Sequence, residues 1–202
     1  MDKSEFLEKY SSITPPDLGG YMEGNAGGSS VRKIEGQVLY NICKVFLPKK
    51  ILETGTHHGA STNYLLKYAQ EDRATVYSFD VSSKAGSSII KELKSNLVLK
   101  KSRRKIFPNK VTQADITKIR NLVVKTAQQG VDLFFHDSDH CYDNAKWEFD
   151  NITPYMKKNS PVIFHDVLHK TDKLQTNKLF DEIKSSWKHV FNTPSGMGLI
   201  VL

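Results

Sequence analysis

At 202 residues, 39% hydrophobic and 25% charged, the chain has the composition of one folded domain with its own core, and neither a disordered chain nor a disulfide scaffold fits it. No run of about 18 apolar residues is present to span a bilayer, and the opening MDKSEFLEKYSS is too charged for a signal peptide, so a cytoplasmic protein with no membrane partner is expected. The net charge of +7 arises from one segment, Lys91 to Lys110, which holds eight basic residues and one acid. No aromatic residue interleaves that run before Phe107, so base stacking has no support. The segment reads as a solvated helix end or loop, and nucleic acid is not an expected partner.

Residues 1–30 show no clear periodicity, and TPPDLGG followed by EGNAGGSS reads as a flexible N-terminal segment or a lid that orders around a ligand. With Ser30 as its cap, the spacing of Val31, Ile34, Val38, Ile42 and Val45 predicts a helix over 31–47, stopped by Pro48. Cys43 and Cys141 lack the CxxC spacing of a redox pair and read as free thiols. Beyond Pro48, strand-like runs occur at KKILET, TVYSFDV, NKVTQA, VDLFFHD, PVIFHDV, HVFNT and MGLIVL. Helical spacing between them marks Tyr64, Leu65 and Tyr68; Ile116, Ile119 and Val123; Ala145, Phe149, Ile152 and Met156; and Leu179, Ile183 and Trp187.

This alternation predicts an α/β fold over 31–202: a single domain built on a Rossmann-like, doubly wound, mostly parallel seven-stranded sheet with helices on both faces. Only the last two runs leave no room for a helix between them, so the last strand is expected to be antiparallel. Ligands of such sheets sit beyond the carboxyl ends of the strands, where the strand order reverses.

At the first of those ends, ILETGTHHGAST runs from strand to helix through Gly55 and Gly59. Glycine permits a tight turn and a close approach of ligand to backbone, and the following helix offers free amides. The middle glycine of a dinucleotide fingerprint is absent and the acid Glu53 precedes the loop, which suits a cationic or amino-bearing ligand better than a diphosphate.

The pattern E-x-G-x-x-x-G-x-S, met by Glu53, Gly55, Gly59 and Ser61, resembles the first motif of class I S-adenosylmethionine-dependent methyltransferases. More narrowly, it resembles the branch of the metal-dependent catechol and caffeoyl-CoA type and antibiotic-sugar O-methyltransferases, over about residues 30–202. The resemblance implies S-adenosylmethionine as cofactor, held by Glu53, Gly55, Thr56, His57, Gly59, Ser61, Asp80 and Asp115. Asp80, ending TVYSFDV, matches the carboxylate that takes both ribose hydroxyls, a bidentate match. Asp115 stands where the family places a residue near the adenine. An aspartate opening the helix ITKIRNLVVKTA also serves as a cap, and the two roles can coexist.

Acids and histidines crowd two further strand ends: His136, Asp137, Asp139 and His140 follow VDLFF, and His165 with Asp166 ends PVIFHD. One helix and one strand separate them, the length of a crossover to a neighbouring parallel strand, so Asp137, His165 and Asp166 are expected to converge. Converging acids need protons, donors or a cation. The resemblance implies a divalent metal, magnesium or manganese, at Asp137, His165 and Asp166, although His165 stands where the metal-dependent members usually have a carboxylate. It makes His140 a candidate general base beside Asp137, whereas His136 reads as a packing residue.

The expected function is transfer of a methyl group from S-adenosylmethionine to a hydroxyl of a small molecule or sugar, assisted by the metal. The alternatives are a metal-independent methyltransferase acting on an anionic acceptor, RNA or a phosphorylated sugar, and a non-catalytic cofactor-binding module. The acceptor's identity and homo-oligomer formation are not legible in the residues.

Overall fold

The computed structural model describes residues 1–18, 31–101, 112–169, 171, 173–185 and 187–202. Seven strands form one sheet: β1 Lys50–Thr54, β2 Thr75–Asp80, β3 Leu97–Lys101, β4 Leu133–His136, β5 Pro161–His165, β6 Trp187–Phe191 and β7 Met197–Val201. Their order is β3-β2-β1-β4-β5-β7-β6. All pairings from β3 to β5 are parallel, while β7 runs antiparallel to both β5 and β6. The chain steps outward from β1 through β2 to β3 and then returns to place β4 on the other side of β1, so the strand order reverses between β1 and β4.

Side chains alternate across a strand, and here both alternating sets are apolar. Ile51, Leu133, Phe135 and Ile163 enter one core with Phe6 of α1 (Lys3–Ser11), Leu39 and Ile42 of α2 (Lys33–Phe46) and Leu65 of α3 (Ala60–Asp72). Leu52, Phe134, Val162 and Phe164 enter the other with Ile119 and Val123 of α4 (Gln113–Ala127), Ala145 of α5 (Tyr142–Ile152) and Leu179 of α6 (Thr176–Glu182). The two helical layers leave the carboxyl ends of β1, β2, β4 and β5 as the place where polar residues gather. Among the described residues, no helix is long and apolar enough to cross a membrane.

Several expectations need correction. The N-terminus opens with a helix rather than a flexible segment: Asp2 caps α1 by accepting the Glu5 amide at 2.9 Å. Phe6 is fully buried against Tyr10, Phe46, Trp187 and Phe191. A nine-residue helix has little stability of its own, so one aromatic anchor decides it, and one anchor leaves no periodic stripe. The EGNAGGSS stretch proposed as a lid lies outside the described residues.

The next helix, α2, is capped at Arg32, not Ser30, and Ile34 points outward at 49% exposure while Glu35 takes the buried position. The third strand runs at Leu97–Lys101 inside the basic stretch. It does not run at NKVTQA, where Thr112 already caps α4 and residues 109–111 lie outside the described ones. Finally, α6 ends at Glu182, so Ile183 lies past it and Trp187 begins β6; Met156 likewise falls beyond α5.

Candidate active site

The glycine loop after β1 is shaped by its neighbours. Gly55 has φ 89°, and a Cβ placed there would lie 1.9 Å from the carbonyl oxygen of Asp137, so the loops leaving β1 and β4 touch through backbone. Gly59, at φ 97°, is the N-cap of α3. Between them His57 is exposed and adopts φ 44°, and its amide donates to Asp80 Oδ2 at 2.8 Å. Asp80 Oδ1 accepts the Ser82 amide at 2.6 Å. Each carboxylate oxygen keeps a second lone pair, so these bonds hold Asp80 at the mouth of the loop without exhausting its capacity for a diol.

Glu53 has a different place from the one expected. It is fully buried beneath the loop, where Oε1 accepts the Ser61 hydroxyl at 2.6 Å and Oε2 accepts those of Thr62 and Ser78 at 2.7 and 2.5 Å. Thr56 joins the same cluster through a 2.6 Å contact with Ser78 Oγ. Burial pushes the Glu53 carboxyl up to about 7, against the pull of the three hydroxyls and with Asp137 nearby. Glu53 and Ser61 thus brace the loop from below, while His57 is exposed and Asp80 half-buried at its mouth, and Gly59 packs against Ile89. Asp115 forms a capping box with Thr112; its Oδ2 accepts the Thr112 hydroxyl at 2.5 Å.

The acids and histidines converge as the crossover length required, because β4 and β5 are adjacent. His165 Nδ1 lies 3.0 Å from Asp137 Oδ1 and 3.3 Å from Asp166 Oδ1. His140 Nε2 lies 3.3 Å from Asp166 Oδ2 and 3.8 Å from Asp137 Oδ1. Asp166 holds the left-handed φ of 63°, a conformation that costs a non-glycine residue of order 1 kcal/mol and recurs at functional sites.

Burial disfavours a charged His165, yet Asp137, Asp166 and Glu35 raise its pKa well above the usual value. His140 moves the other way, its pKa lowered by burial that outweighs Asp137 and Asp166. Asp166 is lowered, since His165, His140 and His169 overcome its burial.

A divalent cation fits this donor set, with one change to the expected ligands. Ligand atoms of Asp137, His140 and His165 all lie within 4.8 Å of one another, and both ring nitrogens of the buried His165 lack an aligned hydrogen bond. His140 therefore joins the set ahead of Asp166, which flanks both histidines. Two imidazoles and a carboxylate suit manganese, iron or zinc better than magnesium.

Two buried acids behind this cluster escaped the reading of the sequence. Glu35, from α2, reaches His165 Nε2 at 3.3 Å; burial opposes its charge, but His165 and the amides of Arg32 and Ser195 hold it down at about 2. Glu148, from α5, accepts from Thr54 and Ser138 at 2.6 and 2.8 Å and lies 2.7 Å from His136 Nδ1, which makes His136 the packed residue expected. A signal was present: Glu35 stands four residues after Val31, and Glu148 three after Ala145 and four before Ile152. Each occupies an apolar stripe where an acid needs a reason.

Comparison with known proteins agrees with this architecture. A family model described as a methyltransferase domain matches residues 52–167, from the glycine loop through both acid clusters. No curated protein matches the chain. Among solved structures, the O-methyltransferase TomG from Streptomyces achromogenes, in complex with SAM, has a TM-score of 0.66 at 14% identity, covering 100% of this chain and 90% of that one. An O-methyltransferase from Bacillus cereus in complex with SAH scores 0.63 at 14% identity, covering 98% and 89%. A proposed caffeoyl-CoA O-methyltransferase from Staphylococcus aureus scores 0.63 at 14% identity, covering 85% and 84%. At such identity these likenesses speak for the fold, while the family match spans more than half of the chain. The chain belongs to the methyltransferase domain family, in the class I S-adenosylmethionine-dependent fold.

Proposed function

We propose that the chain transfers a methyl group from S-adenosylmethionine to a hydroxyl of a small molecule or sugar, with a divalent metal at Asp137, His140 and His165. The observation that carries this reading is the contact between two loops. Gly55 touches the Asp137 carbonyl, so a donor lying on the glycine loop is a neighbour of the acid and histidine cluster.

In this reading Asp80 takes the ribose diol and the backbone at Gly55 lets the donor sit close to the sheet. A sulfonium needs little activation, so what the chain adds is orientation and removal of one proton. The acceptor oxygen bonds to the methyl carbon as the carbon–sulfur bond breaks, and the hydroxyl proton leaves toward the cluster. A bound divalent ion would lower the acidity barrier of that hydroxyl and fix it in line. Asp166, at 3.3 Å from both histidines, holds their rings in place.

A metal-independent form of the same reaction is favoured by one observation: a His165 kept protonated between Asp137 and Asp166 is itself a fixed cation. The ring of His140, kept uncharged by burial, then takes the proton from the hydroxyl, with no metal ion involved. Much of the basic stretch that would grip an anionic acceptor lies outside the described residues, and it adds no support.

Incubating the protein with methyl-labelled S-adenosylmethionine, manganese and a panel of phenols, catechols and sugars tests the proposal. Label should appear on an acceptor oxygen, fall on chelation and return with manganese. Transfer untouched by chelation would remove the metal and leave His140 as base; label on no hydroxyl would remove O-methyl transfer.

A further inference from the structure

The geometry points to Glu35 as a positioning residue that orients His165 for metal binding, a role that rests on the metal-assisted reading above. Glu35 is fully buried and comes from α2, outside the matched span of 52–167. Its Oε1 accepts the Thr193 hydroxyl at 3.1 Å and the Ser195 amide at 3.0 Å. Its Oε2 accepts the Arg32 amide at 2.8 Å and lies 3.3 Å from His165 Nε2. Three donors therefore fix the carboxylate before the histidine is considered, and the ring must orient to it rather than the reverse.

On the opposite edge of the same ring, Nδ1 faces Asp137 Oδ1 at 3.0 Å. Carboxylates flank both edges of this ring, and the one at Nε2 belongs to no candidate ligand. Glu35 would keep the proton there and leave the Nδ1 lone pair to an ion that displaces the proton from that edge, as outer carboxylates do for metal-binding histidines. That lone pair then points to where Asp137 and His140 offer their own donors. A second arm reinforces the first. The Ser195 and Gly196 carbonyls accept the Leu168 and Val167 amides at 3.1 and 3.2 Å, so the turn held by Glu35 also restrains the chain leaving Asp166.

Glu35→Gln retains one oxygen for the turn but sets an amide N–H against the proton on Nε2. Calorimetric titration of the full chain with manganese should show affinity falling about 10–100-fold. Thr193→Val removes one bond to Oε1 and the acceptor of the Gly196 amide and leaves Oε2 alone; it should lower the melting temperature and weaken manganese binding far less than Glu35→Gln does. Unchanged manganese affinity in Glu35→Gln, or equal weakening in both variants, overturns the inference.

Where Glu35→Gln fails to fold, nitrogen-15 shifts of the His165 ring in the zinc-loaded wild type decide: a protonated Nε2 with Nδ1 on the metal supports the role, and metal on Nε2 overturns it. A wild type that takes neither manganese nor zinc removes the metal-assisted reading itself, and Glu35's role falls with it.

Discussion

Glu53 is an acid fully buried beneath the glycine loop, and its environment makes a prediction that can be read without any substrate. Its carboxyl is raised to about 7 from the usual 4.5, so between those values the folded chain keeps a proton that the unfolded chain has lost. Stability tied to Glu53 is therefore complete below the unfolded value and declines as pH rises through about 7. The span amounts to roughly 3 kcal/mol. Urea unfolding of wild type and Glu53→Gln across this window should show the wild type losing stability relative to the variant as pH rises; parallel curves would mean that Glu53 ionises normally.

Asp80 is argued differently, from capacity rather than charge. Both of its oxygens already accept backbone amides, and a cofactor diol would add bonds to a charged acceptor worth about 1.5–3 kcal/mol each. Asp80→Asn should then weaken S-adenosylmethionine binding roughly 10-fold or more, and equal affinity in equilibrium dialysis would take the ribose role from it.

Among the elements, the glycine loop and α1 make opposite predictions. Gly55→Ala sets a Cβ 1.9 Å from the Asp137 carbonyl at a φ of 89°, so it should cost at least about 1 kcal/mol and displace the loop bearing Asp137. Stability and cofactor affinity should fall together. Phe6→Ala instead empties a buried aromatic site against α2 and β6, at about 3–5 kcal/mol, away from the β1 and β2 strand ends where the donor is placed. Cofactor affinity measured below the melting transition should survive; its loss would place α1 in the site after all.

The same pair explains what the residues could and could not announce. The strands of the central sheet were legible because KKILET, VDLFF and PVIF are apolar on both faces, and adjacency of β4 and β5 followed from the crossover length. The convergence of Asp137, His165 and Asp166 came with it. α1 was not legible, since its single anchor Phe6 meets partners from α2, β6 and its own turn, a tertiary fact. β3 was hidden because an edge strand with half-exposed residues and terminal lysines has the composition of a solvated loop. Glu35 and Glu148 were hidden because an acid interrupts the apolar periodicity of a helix, and its burial depends on partners from distant strands and turns.

Across the whole molecule, one sheet brings four strand ends together: the glycine loop of β1, the Asp80 end of β2 and the acid-bearing ends of β4 and β5. Helices cover both faces of the sheet over two apolar cores, and the acids and histidines gather at these ends. The second carboxylate layer, Glu35 behind His165 and Glu148 behind His136, shows that this end of the sheet is braced from both helical faces.

The most direct test of this account is calorimetric titration of the full chain with S-adenosylmethionine. A single saturable site is predicted, weakened by Asp80→Asn and by Gly55→Ala but not by Phe6→Ala. No saturable heat in the folded wild type, or equal affinity in all four proteins, would contradict the placement of the donor at the β1 and β2 strand ends.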